Sequence, residues 1–163
     1  MPPDFNQLAR WERTSLSTGE ARPMLLVPFV TASYEIDYAG IMSNQAYLRW
    51  LEDMRTAFMA RWLSLEGAYK RGQVPVLTRT EIDYRAPLRL GERALGRMWA
   101  GRLGRASAEI QSEVRRAGDF RLCAQAAQTV AFVDARTGRP TRFPSEFAAA
   151  LAAPDEPAAR PTP

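Results

Sequence analysis

Only one stretch of this chain repeats with the period of a long helix. Tyr47, Leu51, Met54, Phe58, Trp62 and Leu65 fall at steps of three and four and form an apolar stripe, with Arg49, Glu52, Asp53 and Thr56 on the other side. The pattern predicts a helix over about residues 44–66, roughly 34 Å long. Ser43 or Asn44 can cap its start, because a short polar side chain satisfies amides that lack intrahelical partners. Gly67 begins its termination, with Gly72 and Pro75 beyond. A lone helix cannot bury its own stripe, so the rest of the chain must supply the layer that covers it.

That layer reads as strands. Met24 to Tyr34 is a β-prone run whose internal Pro28 points to an edge or a bulge. After the helix, Val74, Val76, Thr78, Thr80, Ile82 and Tyr84 alternate with their neighbours up to a break at Ala86-Pro87. Further strands are predicted over Gly91 to Gly101, Ser107 to Arg115 and Phe120 to Val133, joined at Gly101 to Gly104 and at Ala117-Gly118-Asp119. Asp134 to Pro140 closes the last strand as a turn, and Phe143 to Leu151 can form a short helix. Gln7, Leu8 and Trp11 suggest a short helix near the N-terminus, with loop from Ser15 to Pro23. The expected fold is therefore α+β, an antiparallel five-stranded sheet wrapped around one long central helix. Residues 1–22 would be an N-terminal extension, 23–151 the domain and 152–163 an Ala- and Pro-rich disordered tail. The sheet's second face and edges would still need cover, which predicts a homodimer or homotetramer.

Composition narrows the chemistry. The chain contains no histidine, which removes Ser-His-Asp and Cys-His hydrolases, His-ligated metals and histidine-based dehydratases. Acid and base work near neutral pH falls to Asp, Glu, Tyr or Lys, or to backbone dipoles. One cysteine, Cys123, excludes an internal disulfide and a cysteine-rich zinc site. It sits in a strand pattern with Arg121 as the only nearby basic residue and reads as a buried, inert thiol. The first residues lack a basic region followed by an apolar one, and no apolar run reaches the roughly 20 residues needed to cross a bilayer. A cytoplasmic protein without membrane contact is expected. Of the 22 basic residues all but Lys70 are arginine, and the net charge is +4. Arginine's planar fork suits phosphate oxygens, so an anionic ligand is one reading and solvated arginine faces are the other. The arginines are scattered and form no stripe, which argues against nucleic acid despite a pI of 9.7.

Asp37 stands just before the helix, whose N-terminal amides point outward. A carboxylate beside such amides can attack a carbonyl carbon while the amides hold its oxygen. Asp37 could equally be a helix-entry acid held by the macrodipole and by Arg49 or Arg55.

The segment Tyr34-x-x-Asp37-x-Ala39-Gly40-x-x-x-Asn44-x-x-Tyr47-x-Arg49-Trp50-x-Glu52 resembles the active-site segment of the 4-hydroxybenzoyl-CoA thioesterase group, which are hot-dog-fold acyl-CoA thioesterases. The resemblance continues through Asp83 to Glu92, Phe132-Val133-Asp134 and Thr137 to Pro140, and covers roughly residues 26–147. It implies that Asp37 is the catalytic carboxylate, either attacking the thioester carbonyl or activating a water. It implies that the Asn44 backbone N–H polarises that carbonyl. Asn44 stands where benzoyl-specific members have an aromatic residue, and Tyr38 where they have proline. Some relatives use an acid within the helix, which makes Glu52 the fallback; paired with Arg49 or Arg55 it would instead be a structural charge. Gly40 and Tyr47 belong to the same segment as candidate substrate contacts, although Tyr47 and Trp50 also fit the core or an interface. Arg102 and Arg105 flank the turn that corresponds to a phosphate-contacting loop, with Arg85 and Arg89 as weaker candidates. The implied substrate is an acyl-CoA or an acyl carrier protein thioester, with no cofactor. Hydratase relatives of this fold rely on histidine, so its absence favours hydrolysis over hydration. A non-catalytic acyl-CoA-binding module would keep the arginines without needing Asp37.

Overall fold

The computed structural model describes residues 9–15, 21–61 and 63–152 of the 163. Strands β1 (Arg10–Ser15) and β2 (Ala21–Val30) lead through a single 3-10 turn, Ser33–Glu35, to helix α1 (Asn44–Ala60). A second, short helix α2 (Leu65–Lys70) precedes β3 (Gln73–Tyr84), β4 (Arg93–Leu103), β5 (Ser107–Arg116), β6 (Leu122–Asp134) and α3 (Ser145–Ala152). All strands join one antiparallel six-stranded sheet in the order β1-β2-β4-β5-β6-β3.

Three expectations need correction. The sheet has six strands rather than five, because the residues around Trp11 extend as β1 and pair with β2 instead of coiling. Gln7 and Leu8 of the predicted N-terminal helix lie outside the described residues, as do 153–163 of the predicted tail. Ala21 to Pro23, read as loop, already belong to β2. The long helix also stops short: α1 ends at Ala60, and a new helix is capped by Ser64, whose Oγ accepts from the Gly67 N–H at 3.0 Å. A serine able to cap competes with continuation of the helix it follows, and the chain turns there toward β3.

Strand order also departs from simple succession. β4, β5 and β6 form a meander, but β3 lies on the far side of β6, from Gln73 opposite Asp134 to Tyr84 opposite Ala124. Among the described strands β3 is thus one sheet edge and β1 the other. Pro28 pairs with Leu95 of β4 and lies past Leu26, the last β2 residue partnered by β1, so among the described residues no strand on that flank needs its missing N–H.

The sheet curves around α1. Met54 and Phe58 are fully buried on the helix stripe, in one core cluster with Leu25, Val27, Met98, Ile110, Val114 and Phe132 from the strands. The closest approach is at Gly96 of β4, where an added Cβ would lie 2.6 Å from Met54 Sδ and 2.8 Å from Phe29 Cε2. Only glycine lets the helix settle this close to the strand. Cys123 is buried as expected; burial pushes its thiol pKa up despite the opposing Arg116. No described helix is long and apolar enough to cross a membrane.

Candidate active site

The site grows out of the link between β2 and α1. Asp37 opens a tight turn: its N–H donates to the Ile41 carbonyl at 2.9 Å, and its own carbonyl accepts from the Gly40 N–H at 3.0 Å. Gly40 has φ +73, a conformation that favours glycine, so the Ala39-Gly40 pair has a backbone reason to be there. The Asp37 side chain closes the turn from within, with Oδ1 accepting from the Ala39 N–H at 2.8 Å. Its second oxygen accepts no hydrogen bond among the described residues, and the carboxylate has no ion-pair partner there. It is therefore a turn-forming acid with one open oxygen, rather than one neutralised by Arg49 or Arg55.

Ser43 is the helix cap, its Oγ accepting from the Ala46 N–H at 3.2 Å. Asn44 is thereby the first residue of α1. The Asn44 and Gln45 N–H groups have no acceptor among the described residues, and both residues are exposed. These two amides carry the positive end of the helix dipole. Asp37, Gly40 and Asn44 are thus brought together at one end of the molecule, within a turn closed by the bridge between Ile36 and Met42.

Glu35, which sequence reasoning passed over, holds this arrangement in place. It is buried at 6% exposure. Oε1 accepts from Trp50 Nε1 at 2.7 Å, Oε2 from the Ala32 N–H at 2.9 Å, and the backbone carbonyl from the Ser43 N–H at 2.8 Å. Trp50 in turn stacks on Phe29 of β2, centroids 4.3 Å apart and planes 6° from parallel. One residue therefore ties three parts together: its carboxylate holds the strand end and the helix body, and its backbone carbonyl holds the helix cap. An acid two residues before Asp37 and a tryptophan fifteen residues on gave no local sign of this pairing. Asp53 lies near enough to feel it: burial, then Glu52 and Glu35, push its carboxyl pKa above the usual value.

Other predicted residues are placed elsewhere. Tyr47 is buried at 3% exposure, its ring 5.4 Å from Tyr84 and 6.2 Å from Trp50, so it packs the core rather than lining an open surface. Burial raises its pKa far above the usual tyrosine value. Glu52 is 69% exposed and pairs with Arg55 at 3.7 Å. Arg85 pairs with Asp83 at 3.0 Å, and the Arg89 carbonyl accepts from Thr31, so both adjoin the Asp37 end. Arg102 is 87% exposed and touches Glu109 only at 4.0 Å. Arg105 is exposed in the β4–β5 turn, its carbonyl accepting from the Phe143 N–H.

These arginines do not meet Asp37 within one chain. The Asp37 loop adjoins the start of β4 through bonds from Thr31 N to Glu92 O and from Met42 N to Leu88 O. Arg102 and Arg105 lie at the other end of that 11-residue strand, about 30 Å away at the usual rise per residue. Between α1 and β3 lies a cavity of about 190 Å³, lined by Arg55, Thr56, Met59 and Ala60 from the helix and by Pro75, Val76, Leu77 and Val130 from the sheet.

A curved antiparallel sheet closed over one central helix, with its polar cluster at the helix start, is the hot-dog class of α+β protein. The chain belongs to the thioesterase-like superfamily, whose model matches residues 30–151; by family it is a thioester hydrolase. Solved structures share the fold. The 1,4-dihydroxy-2-naphthoyl-CoA thioesterase Slr0204 from Synechocystis is 18% identical, with a TM-score of 0.74 over 82% of this chain and 99% of that one. SAV2348 from Staphylococcus aureus, determined in complex with CoA, is 17% identical, with a TM-score of 0.74 over 80% and 83%. The DHNA-CoA thioesterase from Staphylococcus aureus is 16% identical, with a TM-score of 0.70 over 78% and 87%. No curated protein matches the chain significantly in sequence.

Proposed function

We propose that this protein hydrolyses acyl-CoA thioesters to a carboxylic acid and free CoA, with Asp37 as the catalytic carboxylate. The observation that carries the reading is the presence, at one end of the molecule, of Asp37 with one oxygen open and of the Asn44 and Gln45 amides at the start of α1, which have no acceptor among the described residues. The thioester oxygen would sit on those amides, which stabilise the charge that develops there as the carbonyl carbon is attacked. Asp37 either attacks that carbon directly or takes a proton from the water that does. In both routes the water oxygen ends in the carboxylic acid and the sulfur leaves as the CoA thiol. A thioester lacks amide resonance, so a carboxylate and aligned donors suffice without histidine.

The substrate's CoA half calls for a second subunit. β3 is a 12-residue edge strand with one ladder side unpaired by the described residues, and such edges invite pairing. Antiparallel pairing of β3 with its own copy about a two-fold axis would lay the partner's Gln73 end beside this chain's Tyr84 end. The Tyr84 hydroxyl reaches the Asn44 carbonyl at 3.5 Å, so that is the catalytic end. The arginine-bearing turn lies at the Gln73 end, since Phe132, which bonds Ala106, belongs to the strand that pairs with Pro75. In the dimer each Asp37 would thus face the other subunit's Arg102 and Arg105, arranged for the phosphates of CoA.

The deciding measurement is free-thiol release from acyl-CoAs of graded length, aromatic ones included, for wild type and Asp37→Asn. The substitution keeps shape and removes charge, and the expected loss in kcat is about 10²–10⁴-fold. Activity that survives in Asp37→Asn and is lost in Glu52→Gln would move the chemistry to Glu52. Activity with acyl carrier protein thioesters and none with CoA thioesters would change the substrate.

A further inference from the structure

The cavity between α1 and β3 contains a charge that one exposed carboxylate balances only loosely. Met59, Ala60, Pro75, Leu77 and Val130 give it apolar walls. Arg55 also lines it, with only 14% of its side chain exposed. Its one ion-pair partner among the described residues is Glu52, at 3.7 Å and 69% exposed. That separation exceeds hydrogen-bond range, and Arg55 makes no hydrogen bond to a described residue. Burial lowers its pKa against the pull of Glu52. Glu113 shows the opposite case, a carboxylate held by Arg115 at 2.8 Å and Arg97 at 2.7 Å.

Resting on the acyl-CoA reading above, we propose that this cavity takes the far end of the acyl group and that the far end carries a carboxylate. The substrates would then be CoA thioesters of dicarboxylic acids, with Arg55 as the residue that selects them. A guanidinium presents two parallel N–H donors that match a carboxylate's two oxygens. In an apolar cavity that pair is poorly screened, so it discriminates against a methyl end, which would leave the buried cation with only the exposed Glu52 carboxylate at 3.7 Å. Glu52 is exposed and loosely held, so an incoming carboxylate can displace it. Arg55 lies eleven residues along α1 from Asn44, about 16 Å at the helical rise, which sets the scale of the chain that reaches it.

The test compares kcat/KM for ω-carboxyacyl-CoAs and methyl-ended acyl-CoAs of equal length, graded from about six to fourteen carbons so that the longest approach that distance. Wild type should favour the carboxylated member at its best length by at least about tenfold, Arg55→Met should reverse the ratio, and Arg55→Lys, which keeps charge without the fork, should fall between them. A second readout needs no turnover: calorimetric titration with the free dicarboxylic acids should show binding to wild type and at least about tenfold weaker binding to Arg55→Met. Hydrolysis of acyl-CoAs with no preference for a carboxylated end overturns this inference and leaves the thioesterase reading standing. Loss of all acyl-CoA hydrolysis with Arg55-dependent diacid binding does the reverse. Equal diacid binding by wild type and Arg55→Met overturns the inference whatever the activity, and it is the expected result if Arg55 instead pairs with a second subunit.

Discussion

At the scale of single residues the site depends on two acids with different duties. Asp37 keeps an oxygen open, whereas Glu35 uses both of its oxygens to hold Ala32 and Trp50. Glu35→Gln presents an amide N–H₂ to one of two donors and leaves that donor buried without an acceptor, which costs roughly 1–3 kcal/mol. We expect a lower Tm and a lower kcat, because the loop carrying Asp37 loses one of its side-chain ties to the strand end or the helix body, with KM for the acyl-CoA little changed. Thermal unfolding and steady-state kinetics on one preparation check this; a Tm drop with unchanged kcat would confine Glu35 to stability. The Asp37 turn was legible in sequence, because the acid, Gly40 and the Ser43 cap act within a few residues of one another. Glu35 was not, since its partner Trp50 is brought to it only by the packing of α1 on β2.

Among the elements, the sheet is cross-linked at its outer face by charge. Arg97 and Glu113 are register partners on β4 and β5, and Arg115 adds a second donor to the same carboxylate oxygen. Burial works to raise the Glu113 pKa, but the two arginines outweigh it and hold the carboxyl below its ordinary value of 4.5. A carboxylate with a depressed folded-state pKa adds stability that is present above the unfolded value and is lost as pH falls through the folded one. Glu113→Gln should therefore destabilise the protein at pH 7 by about 1 kcal/mol, and the difference from wild type should shrink as pH falls below the ordinary carboxylate range. Chemical denaturation at both pH values reads it; a pH-independent difference would assign the effect to packing. The alternating strands were readable because each carries its own period. The break after Ala60 was not, because the apolar spacing runs on through Trp62 and Leu65 while the Ser64 cap stops the helix.

For the whole molecule the question is how the proposed catalytic end and a basic turn about 30 Å apart would serve one substrate. A composite site predicts complementation. Asp37→Asn and Arg105→Glu homodimers should each be impaired, yet subunits mixed through unfolding and refolding should recover activity. Random pairing makes half of the dimers mixed, and each mixed dimer has one site with both native residues, so about a quarter of wild-type activity is expected. No recovery on mixing would place both residues' work within one chain.

The sequence by itself determined the features that depend on near neighbours: the single amphipathic helix, the β character of the segments after that helix, the turn at Asp37 to Gly40, and the exclusion of histidine chemistry. Strand order was a tertiary decision, since β3 follows the helix in the chain yet pairs with β6, the last strand, about fifty residues away. So was the close seat of α1 on Gly96, which depends on facing residues far apart in the chain. The distance between Asp37 and the arginines was also invisible, because a strand's length separates them in space while a linear motif reads as one site. Burial of Arg55 in an apolar cavity likewise exists only after the helix and the edge strand have met.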